Sequence, residues 1–286
     1  MDISIVGAGR AGTAVAVLWQ RAGHRIVAVS GGAATAERAM RHLPGVPVLG
    51  APDAARAAEL VVIGVPDDLI AATVQELADA GAVASGWVAH LSGATPLSAL
   101  DAARSAGARG LGIHPLQTFP DVDAAVERIP GCVVAVGADD DEGAALAERL
   151  ARDLGGRPFR LPEERRAIYH AAAVFASNYL VAATGVAEVL LEVAGVPDPI
   201  GALTPLQQAT LANIARSGPA EALTGPAVRG DAGTIELNLQ ALANSSPWAV
   251  DAYVEMARVA VDLAMRGGRL SPDQRAEVEK VLARWS

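Results

Sequence analysis

Short apolar runs alternate with alanine-rich segments throughout the first half of the chain. The runs lack strict alternation of polar and apolar positions, which is typical of strands that are buried on both faces. They cover residues 3–6, 26–29, 60–63, 87–91, 110–113, 133–136 and 157–161. Segments compatible with helix separate them, near residues 10–22, 34–42, 67–80, 95–105 and 140–153. This order predicts an α/β fold with a doubly wound, mostly parallel sheet and helices on both faces.

The pattern changes near Pro162, and no strand signal follows residue 161. Residues 163–194 contain no proline and only one glycine, Gly185, so they predict a single helix about 45 Å long. Further helices are predicted near residues 199–216, 232–243, 247–266 and 272–284. We therefore predict two domains, an α/β domain over residues 1–161 and an all-helical domain over residues 162–286.

A glycine-rich turn follows the first apolar run and opens the first helix. Gly7 permits a tight turn, Gly9 lets the backbone approach a pyrophosphate, and Gly12 lets the helix pack closely on the strand. The unpaired N–H groups and the dipole at the helix start favour phosphate charge. The turn therefore predicts a dinucleotide site in a Rossmann domain. The predicted cofactor-binding residues are Gly7, Ala8, Gly9, Arg10, Ala11, Gly12, Ser30, Val65 and Pro66.

The end of the second strand indicates which dinucleotide binds. NAD sites usually place a carboxylate there for the ribose hydroxyls, whereas this strand ends in Ser30 and two glycines. Ser30 and the glycine N–H groups suit a 2′-phosphate, and Arg10 and Arg38 add positive charge. The sequence favours NADP, with NAD as the alternative; Arg38 as a solvated helix residue is the plain interpretation.

Composition narrows the partners and the compartment. The net charge of −9 argues against nucleic acid or an anionic membrane surface as a partner. The lone Cys132 cannot form an internal disulfide, which fits a reducing cytoplasm. The first residues already read as a strand rather than a signal peptide. We also expect no apolar stretch long and uninterrupted enough to cross a bilayer.

Two polar segments follow strands at the edge where ligands bind in open α/β sheets. In residues 90–96, Ser92 and the N–H of Gly93 suit a substrate carboxylate or carbonyl; a serine that caps the following helix is the alternative. In residues 112–120, His114, Gln117 and Thr118 share one loop flanked by prolines. The alternative there is a structural turn whose histidine bonds to backbone.

A third polar group lies on the long helix. His170 and Ser177 are seven residues apart, so they share a face of the predicted helix, with Asn178 beside them. Small alanines around His170 would allow close approach by the other domain. A histidine satisfied within an interface is the alternative interpretation.

These motifs, together with the segment Thr224-Gly225-Pro226-Ala227-Val228-Arg229-Gly230-Asp231, carry a resemblance that covers essentially the whole chain. The chain resembles a bacterial Rossmann-like family with a helical carboxyl-terminal domain of unknown function. That family is similar to ketopantoate reductase, pyrroline-carboxylate reductase, prephenate dehydrogenase and 6-phosphogluconate-type dehydrogenases. The resemblance implies a carboxyl-terminal domain like that of 6-phosphogluconate dehydrogenase and a homodimer formed through the long helix.

One departure from the wider group concerns the acid/base residue. Hydroxyacid dehydrogenases and ketopantoate reductases use a lysine on the interdomain helix, whereas the only lysine here is Lys280 near the carboxyl terminus. His170 is our first choice for the proton donor and His114 the second, because histidine titrates near neutral pH. Arg229 and Asp231 are expected to close the pocket on a carboxylate; a pair that only shapes the loop is the alternative.

The sequence thus predicts an NADP-dependent oxidoreductase that transfers a hydride to a small carboxylate-bearing substrate. A ketopantoate-like keto acid is the leading substrate, an imine such as pyrroline carboxylate the next, and a deazaflavin a further one. Ser92, Gln117 and Asn178 would orient the substrate. The alternative class is a non-catalytic dinucleotide-binding sensor or scaffold, which the missing lysine motivates.

Overall fold

A computed structural model describes all 286 residues and shows one seven-stranded sheet. The strand order is β2-β1-β3-β4-β5-β6-β7, and every neighbouring pair is parallel except β5 with β6. The strands are β1 (Asp2–Val6), β2 (Arg25–Ser30), β3 (Leu60–Ile63), β4 (Trp87–His90), β5 (Arg109–Pro115), β6 (Val133–Ala138) and β7 (Arg157–Arg160). All seven predicted strands and the doubly wound α/β class are confirmed.

Seven α-helices connect or flank these strands. They are α1 (Arg10–Arg21), α2 (Thr35–His42), α3 (Ala51–Arg56), α4 (Ile70–Asp79), α5 (Asp101–Ala106), α6 (Val122–Arg128) and α7 (Asp141–Asp153). The sequence did not predict α3 and α6, which are too short to show a helical period. The sequence did contain one local signal for α6, the helix-capping residue Asp121. Its side chain accepts the N–H of Ala124 at 2.8 Å.

The core of this sheet is built from alanine, valine, leucine and isoleucine. Helix α1 buries one whole side against it, where fully buried Trp19 donates its indole N–H to the carbonyl of Leu150 at 2.9 Å. Because β1 to β5 are parallel, their carboxyl ends meet at one edge of the sheet. That edge holds the glycine turn after β1, the end of β2, the loop after β3, and the ends of β4 and β5.

The predicted helix over residues 163–194 is interrupted. It forms a short 3₁₀ turn, then α8 (Arg166–Ala176) and α9 (Asn178–Val193), with non-helical backbone at Ser177 (φ −122°, ψ −67°). The prediction of one unbroken helix is therefore wrong. The compact units divide at this break, into Met1–Ser177 and Asn178–Ser286, whereas the last strand ends at Arg160, as the sequence indicated.

The second unit is entirely helical, as predicted. After α9 come α10 (Pro199–Ala222), α11 (Pro226–Arg229), α12 (Ala232–Ser245), α13 (Val250–Arg266) and α14 (Pro272–Leu282). Gly218 bends α10 through non-helical backbone (φ 76°, ψ 163°), which explains why the predicted helix ended near residue 216. The core lies among α11 to α14, around Leu239, Val261 and Val278.

The apolar composition of the long helical stretch affects one expectation. By length and composition alone, Glu163–Val193 qualifies as a candidate membrane span, with a mean hydropathy of 1.6. The expectation that no stretch would meet this criterion is therefore wrong. The most apolar part of this stretch is not buried within the chain. An exposed apolar helix of this kind is also typical of a helix that packs against another protein surface.

Candidate functional site

The glycine turn after β1 is tightly constrained by the neighbouring backbone. The N–H groups of Gly7 and Ala8 both donate to the carbonyl of Ser30, at 2.9 and 2.8 Å. Gly7 has φ +88°, and a Cβ atom there would lie 2.6 Å from the backbone nitrogen of Val65. A Cβ at Gly12 would lie 2.9 Å from the carbonyl oxygen of Gly7. Both positions therefore require glycine, the first for its conformation and the second for close packing.

Gly9 differs from these two glycines because its surroundings are open. It caps the start of α1, and the nearest protein atom to a Cβ at this position would be the carbonyl oxygen of Gly7, at 4.0 Å. No side-chain cap satisfies the free N–H groups of this helix start. Open space beside unpaired N–H groups at a helix N-terminus fits a dinucleotide pyrophosphate.

We call the open space beside Gly9 and the N–H groups at the start of α1 the cradle. Its walls are formed by Val65, Pro66 and Ser30, which the sequence had predicted to bind the cofactor. The loop after β3 is held against the turn by the N–H of Gly64, which donates to the carbonyl of Val6 at 2.7 Å, and it presents half-buried Val65 and exposed Pro66. Ser30 is only 7% exposed, and its carbonyl, rather than its side chain, is the group that holds the turn.

A cavity of about 460 Å³ next to the cradle is lined by charged side chains of both signs. Arg38 donates to the carbonyl of Ala8 at 2.8 Å, and Arg10 donates to the carbonyl of Pro120 at 3.0 Å. The lining also includes Arg41, together with His42, Glu37, Asp121 and Asp123. The two predicted arginines therefore lie together beside the glycine turn, which is the arrangement that an additional phosphate would need.

A second polar cluster occupies the ends of β4 and β5. His90 is fully buried; its Nδ1 accepts the N–H of Ser92 at 3.2 Å, and its Nε2 has no partner. Burial, together with smaller electrostatic effects of Arg166 and His114, lowers the pKa of His90 to about 3. His90 is therefore neutral at physiological pH.

His114, at the end of β5, forms the central contact of this cluster. Its Nδ1 lies 2.9 Å from the hydroxyl oxygen of Tyr169, and the two rings meet edge to face at 5.6 Å. A Cβ at Gly93 would lie 2.8 Å from Cε1 of the His114 ring, so this glycine gives the imidazole its space. Burial is the main cause that lowers the pKa of His114 to about 4; His170 and Arg166 contribute to the lowering, and Asp67 opposes it.

Arg166 anchors the helix that carries Tyr169. Gly112 and Gly137 face each other across the antiparallel pair of β5 and β6, and a Cβ on either would lie 2.5 Å from Nη2 of Arg166. The guanidinium is 2% exposed, and its Nε donates to Glu163 at 2.6 Å. The other oxygen of Glu163 accepts the N–H of Leu97 at 2.8 Å.

Helical spacing then places the titratable side chains. Arg166, Tyr169 and His170 occupy positions i, i+3 and i+4 of α8 and share a face. Nη2 of Arg166 and Nδ1 of His170 are buried without a partner. Sequence reasoning placed His170 and His114 in the site but missed Tyr169 and Arg166. The available signal was the glycine pair in neighbouring strands followed by arginine and tyrosine three residues apart.

Two of the predicted substrate-orienting residues have structural partners. The hydroxyl of Ser92 accepts the N–H groups of Ala94 and Thr95, at 3.2 and 2.9 Å, within the loop. The capping alternative is wrong, because the following 3₁₀ helix begins at Leu97 without a side-chain cap. The amide oxygen of Gln117 accepts the N–H of Thr118 at 2.9 Å, and its nitrogen lies 3.4 Å from the carbonyl oxygen of Arg128. Both side chains hold their own loops, and contact with substrate stays a prediction.

The remaining predicted residues belong to the helical unit. Asn178 is exposed at the first position of α9. Asp231 caps α12 by accepting the N–H and hydroxyl of Thr234, at 3.0 and 2.7 Å, and these bonds hold the pKa of Asp231 below its usual range. Arg229 is exposed, with Nη2 3.8 Å from the Asp231 carboxylate. These contacts match the loop-shaping alternative; their role at a substrate stays a prediction.

Comparison with family models gives a match in each half of the chain. Residues 1–115 match the Rossmann-like domain, and residues 132–260 match the domain of unknown function DUF2520. The chain carries a Rossmann-like domain and a DUF2520 domain. The resemblance stated from the sequence is thereby confirmed. The bond between His114 and Tyr169 joins the last strand of the Rossmann-like match to the DUF2520 match, inside one compact unit.

Solved structures share this fold over almost the whole chain. A Bacteroides fragilis protein assigned as an NADP oxidoreductase is 24% identical with a TM-score of 0.77, covering 91% of this chain and 98% of its own. An imine reductase of Myxococcus stipitatus in complex with NAD⁺ is 17% identical (TM-score 0.62; 93% and 98% covered). Pyrroline carboxylate reductase of Plasmodium falciparum with NADP bound is 13% identical (TM-score 0.58; 92% and 98% covered). Comparison with curated proteins gives no match.

Proposed function

We propose that this protein is an NADP-dependent oxidoreductase that reduces a small carboxylate-bearing keto acid or imine, with NAD accepted less well. One observation carries the proposal. The open cradle at Gly9 and the buried cluster of His90, His114 and Tyr169 belong to loops and strand ends at the same carboxyl edge of the sheet. Ligands of open α/β sheets bind at that edge.

The cradle has a defined task in this proposal. The N–H groups after Gly9 hold the pyrophosphate, Val65 and Pro66 form a wall, and Arg10 and Arg38 provide charge for the 2′-phosphate. The bound dinucleotide supplies the hydride. The fold neighbours support a nicotinamide dinucleotide at this position, since one was solved with NADP and another with NAD⁺.

The substrate side follows from the second cluster. Neutral histidines, a tyrosine hydroxyl and the buried Arg166 surround the ends of β4 and β5, where a carbonyl or imine group can be oriented and protonated. His170 and His114 are the donors proposed from the sequence. Arg229 would pair with the substrate carboxylate, and Ser92, Gln117 and Asn178 would orient it. A ketopantoate-like acid and a cyclic imine are the two substrate classes to compare.

We further propose that the protein acts as a homodimer in the cytoplasm. Helices α9 and α10 pack on each other, with Gln207 donating to the hydroxyl of Thr184 at 2.6 Å, yet Val181 and Leu206 remain 70% and 63% exposed. A second copy would cover this apolar surface, whereas Glu188 and Glu192 on α9 oppose lipid contact. The lone Cys132 fits a reducing compartment.

A substrate screen tests the proposal. Purified protein is mixed with NADPH or NADH and a panel of keto acids, cyclic imines and an oxidised deazaflavin, and loss of reduced-nicotinamide absorbance is followed. We expect turnover with NADPH and at least one keto acid or imine. Tight NADPH binding without any turnover would support the sensor or scaffold alternative instead. Turnover with NADH far above that with NADPH would contradict the NADP assignment.

A further inference from the structure

We propose that the Tyr169 hydroxyl donates the proton to the substrate, held in place by His114 and by the anchoring of Arg166 in the sheet. This rests on the proposed reductase function and names a donor other than the two histidines. In this proposal Tyr169, near the start of α8, has the role that a lysine on the corresponding helix has in related dehydrogenases.

The contact with His114 defines the position of the hydroxyl. Oη of Tyr169 lies 2.9 Å from Nδ1 of His114, and the perpendicular rings fix the direction of the phenol. Gly93 leaves space for the imidazole in this position, because a Cβ atom there would lie 2.8 Å from Cε1 of His114. Tyr169 as a whole is half-buried, which places it neither in the core nor fully in solvent.

Arg166 positions Tyr169 from one helical turn away. Its guanidinium occupies the space left by Gly112 and Gly137, and its bond to Glu163 ties the start of α8 to the backbone at Leu97. This buried cation also acts electrostatically. It lowers the pKa of Tyr169 against the raising effect of burial and so favours the phenolate that proton donation leaves behind.

The histidines are less suited to this role. Because the pKa values of His90 and His114 lie at about 3 and 4, both are neutral at physiological pH and hold no imidazolium proton to give. A neutral His114 can instead donate its Nδ1–H to the Tyr169 oxygen, which stabilises the phenolate. His170 lies next to Tyr169 on the helix and is the competing donor that the experiment has to separate.

The proposed step balances for a carbonyl substrate. The carbonyl carbon accepts the hydride from the bound reduced nicotinamide, and the electrons of the C=O π bond move to oxygen. The O–H bond of Tyr169 breaks as the O–H bond of the product alcohol forms. The Tyr169 phenolate accepts the Nδ1–H of His114 as a hydrogen bond and regains its proton from water.

This donor favours carbonyl reduction over imine reduction. A phenol is a weak acid at its ordinary pKa of about 10, and burial raises the pKa of Tyr169 further, to about 12. A weak acid transfers its proton readily to a strongly basic alkoxide, whereas an imine must be protonated as a weakly basic nitrogen before the hydride arrives. The inference therefore selects the keto acid as the substrate class.

The test compares Tyr169→Phe with Tyr253→Phe in the full-length protein. Tyr253 lies in the helical unit, where it pairs with Asn238, and serves as the matched control. We expect Tyr169→Phe to lower kcat on a keto acid about 100-fold or more, with NADPH affinity retained in a fluorescence titration. Tyr253→Phe should keep wild-type kcat, and His170→Gln should lose less activity than Tyr169→Phe.

A second readout does not depend on turnover. In nitrogen NMR of the histidine side chains without cofactor, we expect Tyr169→Phe to shift the His114 Nδ1 signal and Tyr253→Phe to leave it unchanged. In His114→Asn we expect kcat to fall about tenfold or more with KM retained, because the hydroxyl loses its partner. A rise in KM alone would contradict the positioning role of His114.

The outcomes separate the two proposals. If the wild type reduces a keto acid and Tyr169→Phe does so equally well, Tyr169 is not the donor, while the reductase function stands. A larger loss in His170→Gln than in Tyr169→Phe would overturn the assignment in favour of His170. If the wild type reduces imines but no keto acid, the substrate inference is wrong. If it binds NADPH and reduces nothing, both proposals fail.

Discussion

Arg166 lies directly over Gly137, where a Cβ atom would stand 2.5 Å from its Nη2. The same atom makes an equally close approach to the Cβ position of Gly112 on the neighbouring strand. Two facing glycines thus make room for one buried guanidinium. This relationship connects the sheet to the helix that carries Tyr169 and His170.

Gly137→Ala should displace Arg166 and destabilise the fold. We expect a loss of about 1–3 kcal/mol in the free energy of unfolding, because the added methyl overpacks a site filled by a buried cation. Gly50→Ala is the matched control, since nothing lies within 4 Å of its Cβ position and its φ is −61°. We expect the control to change stability by less than about 1 kcal/mol. Equal urea midpoints for the two variants would contradict the anchoring role.

Cofactor preference should respond to charge at Gly32, which follows β2 and has open space around its Cβ position. Gly32→Asp should weaken NADPH binding relative to NADH by about tenfold or more, because a carboxylate repels the 2′-phosphate and accepts from ribose hydroxyls. Gly32→Asn has nearly the same shape without the charge, so it should keep the wild-type ratio. Fluorescence titrations with NADPH and with NADH measure this ratio of affinities. An unchanged ratio in Gly32→Asp would place the 2′-phosphate elsewhere.

Stability should fall as the pH drops below 6.5. His90 and His114 have folded pKa values of about 3 and 4, against 6.5 for an unperturbed histidine. Between these values the unfolded chain binds protons that the folded protein excludes, so acid favours unfolding by about 1.4 kcal/mol per pH unit for each histidine. Urea unfolding at several pH values measures the slope. His114→Asn should reduce it, and an unchanged slope in that variant would contradict the buried neutral state of His114.

The exposed apolar surface of α9 and α10 should be covered by a second copy. Leu206→Glu should convert a dimer to monomers in analytical ultracentrifugation, because it places a charge in an apolar interface. Leu237→Glu on α12 is the control, since Leu237 is comparably exposed at 66% and lies outside α9 and α10. A monomeric wild type, or a wild type recovered only with membranes, would contradict the proposed dimer.

The sequence predicted the architecture well because apolar runs and helix-compatible segments are local features. Each strand appeared as an apolar run, and the spacing of the glycines identified the turn after the first strand. The sequence did not predict the break in the helix at Ser177, because no proline or glycine lies there. Short helices such as α3 and α6 escaped because one or two turns carry no period.

The candidate site was predictable only in part. His114 and His170 could be chosen as titratable residues at a strand end and on a helix. The contact of Tyr169 with His114 spans 55 positions along the chain, and the seat of Arg166 requires the cross-strand register of Gly112 and Gly137. Such pairings arise from tertiary packing, which no local pattern encodes.

Substitution at Gly9 separates ligand binding from folding more cleanly than substitution at Gly12. A Cβ there meets no protein atom closer than 4.0 Å, whereas one at Gly12 meets the Gly7 carbonyl at 2.9 Å. We therefore expect the free energy of unfolding of Gly9→Ala to lie within about 1 kcal/mol of the wild-type value. The variant should lose dinucleotide affinity, because the methyl group occupies the space of the pyrophosphate. Gly12→Ala should lose both affinity and stability.

The titration of NADPH into wild type and Gly9→Ala tests the central claim most directly. Nicotinamide fluorescence reports binding without requiring a substrate. We expect saturable binding to the wild type, tighter for NADPH than for NADH, and affinity at least about tenfold weaker in a folded Gly9→Ala protein. A wild type that binds neither cofactor, or a Gly9→Ala variant that binds NADPH as tightly as the wild type, would contradict it.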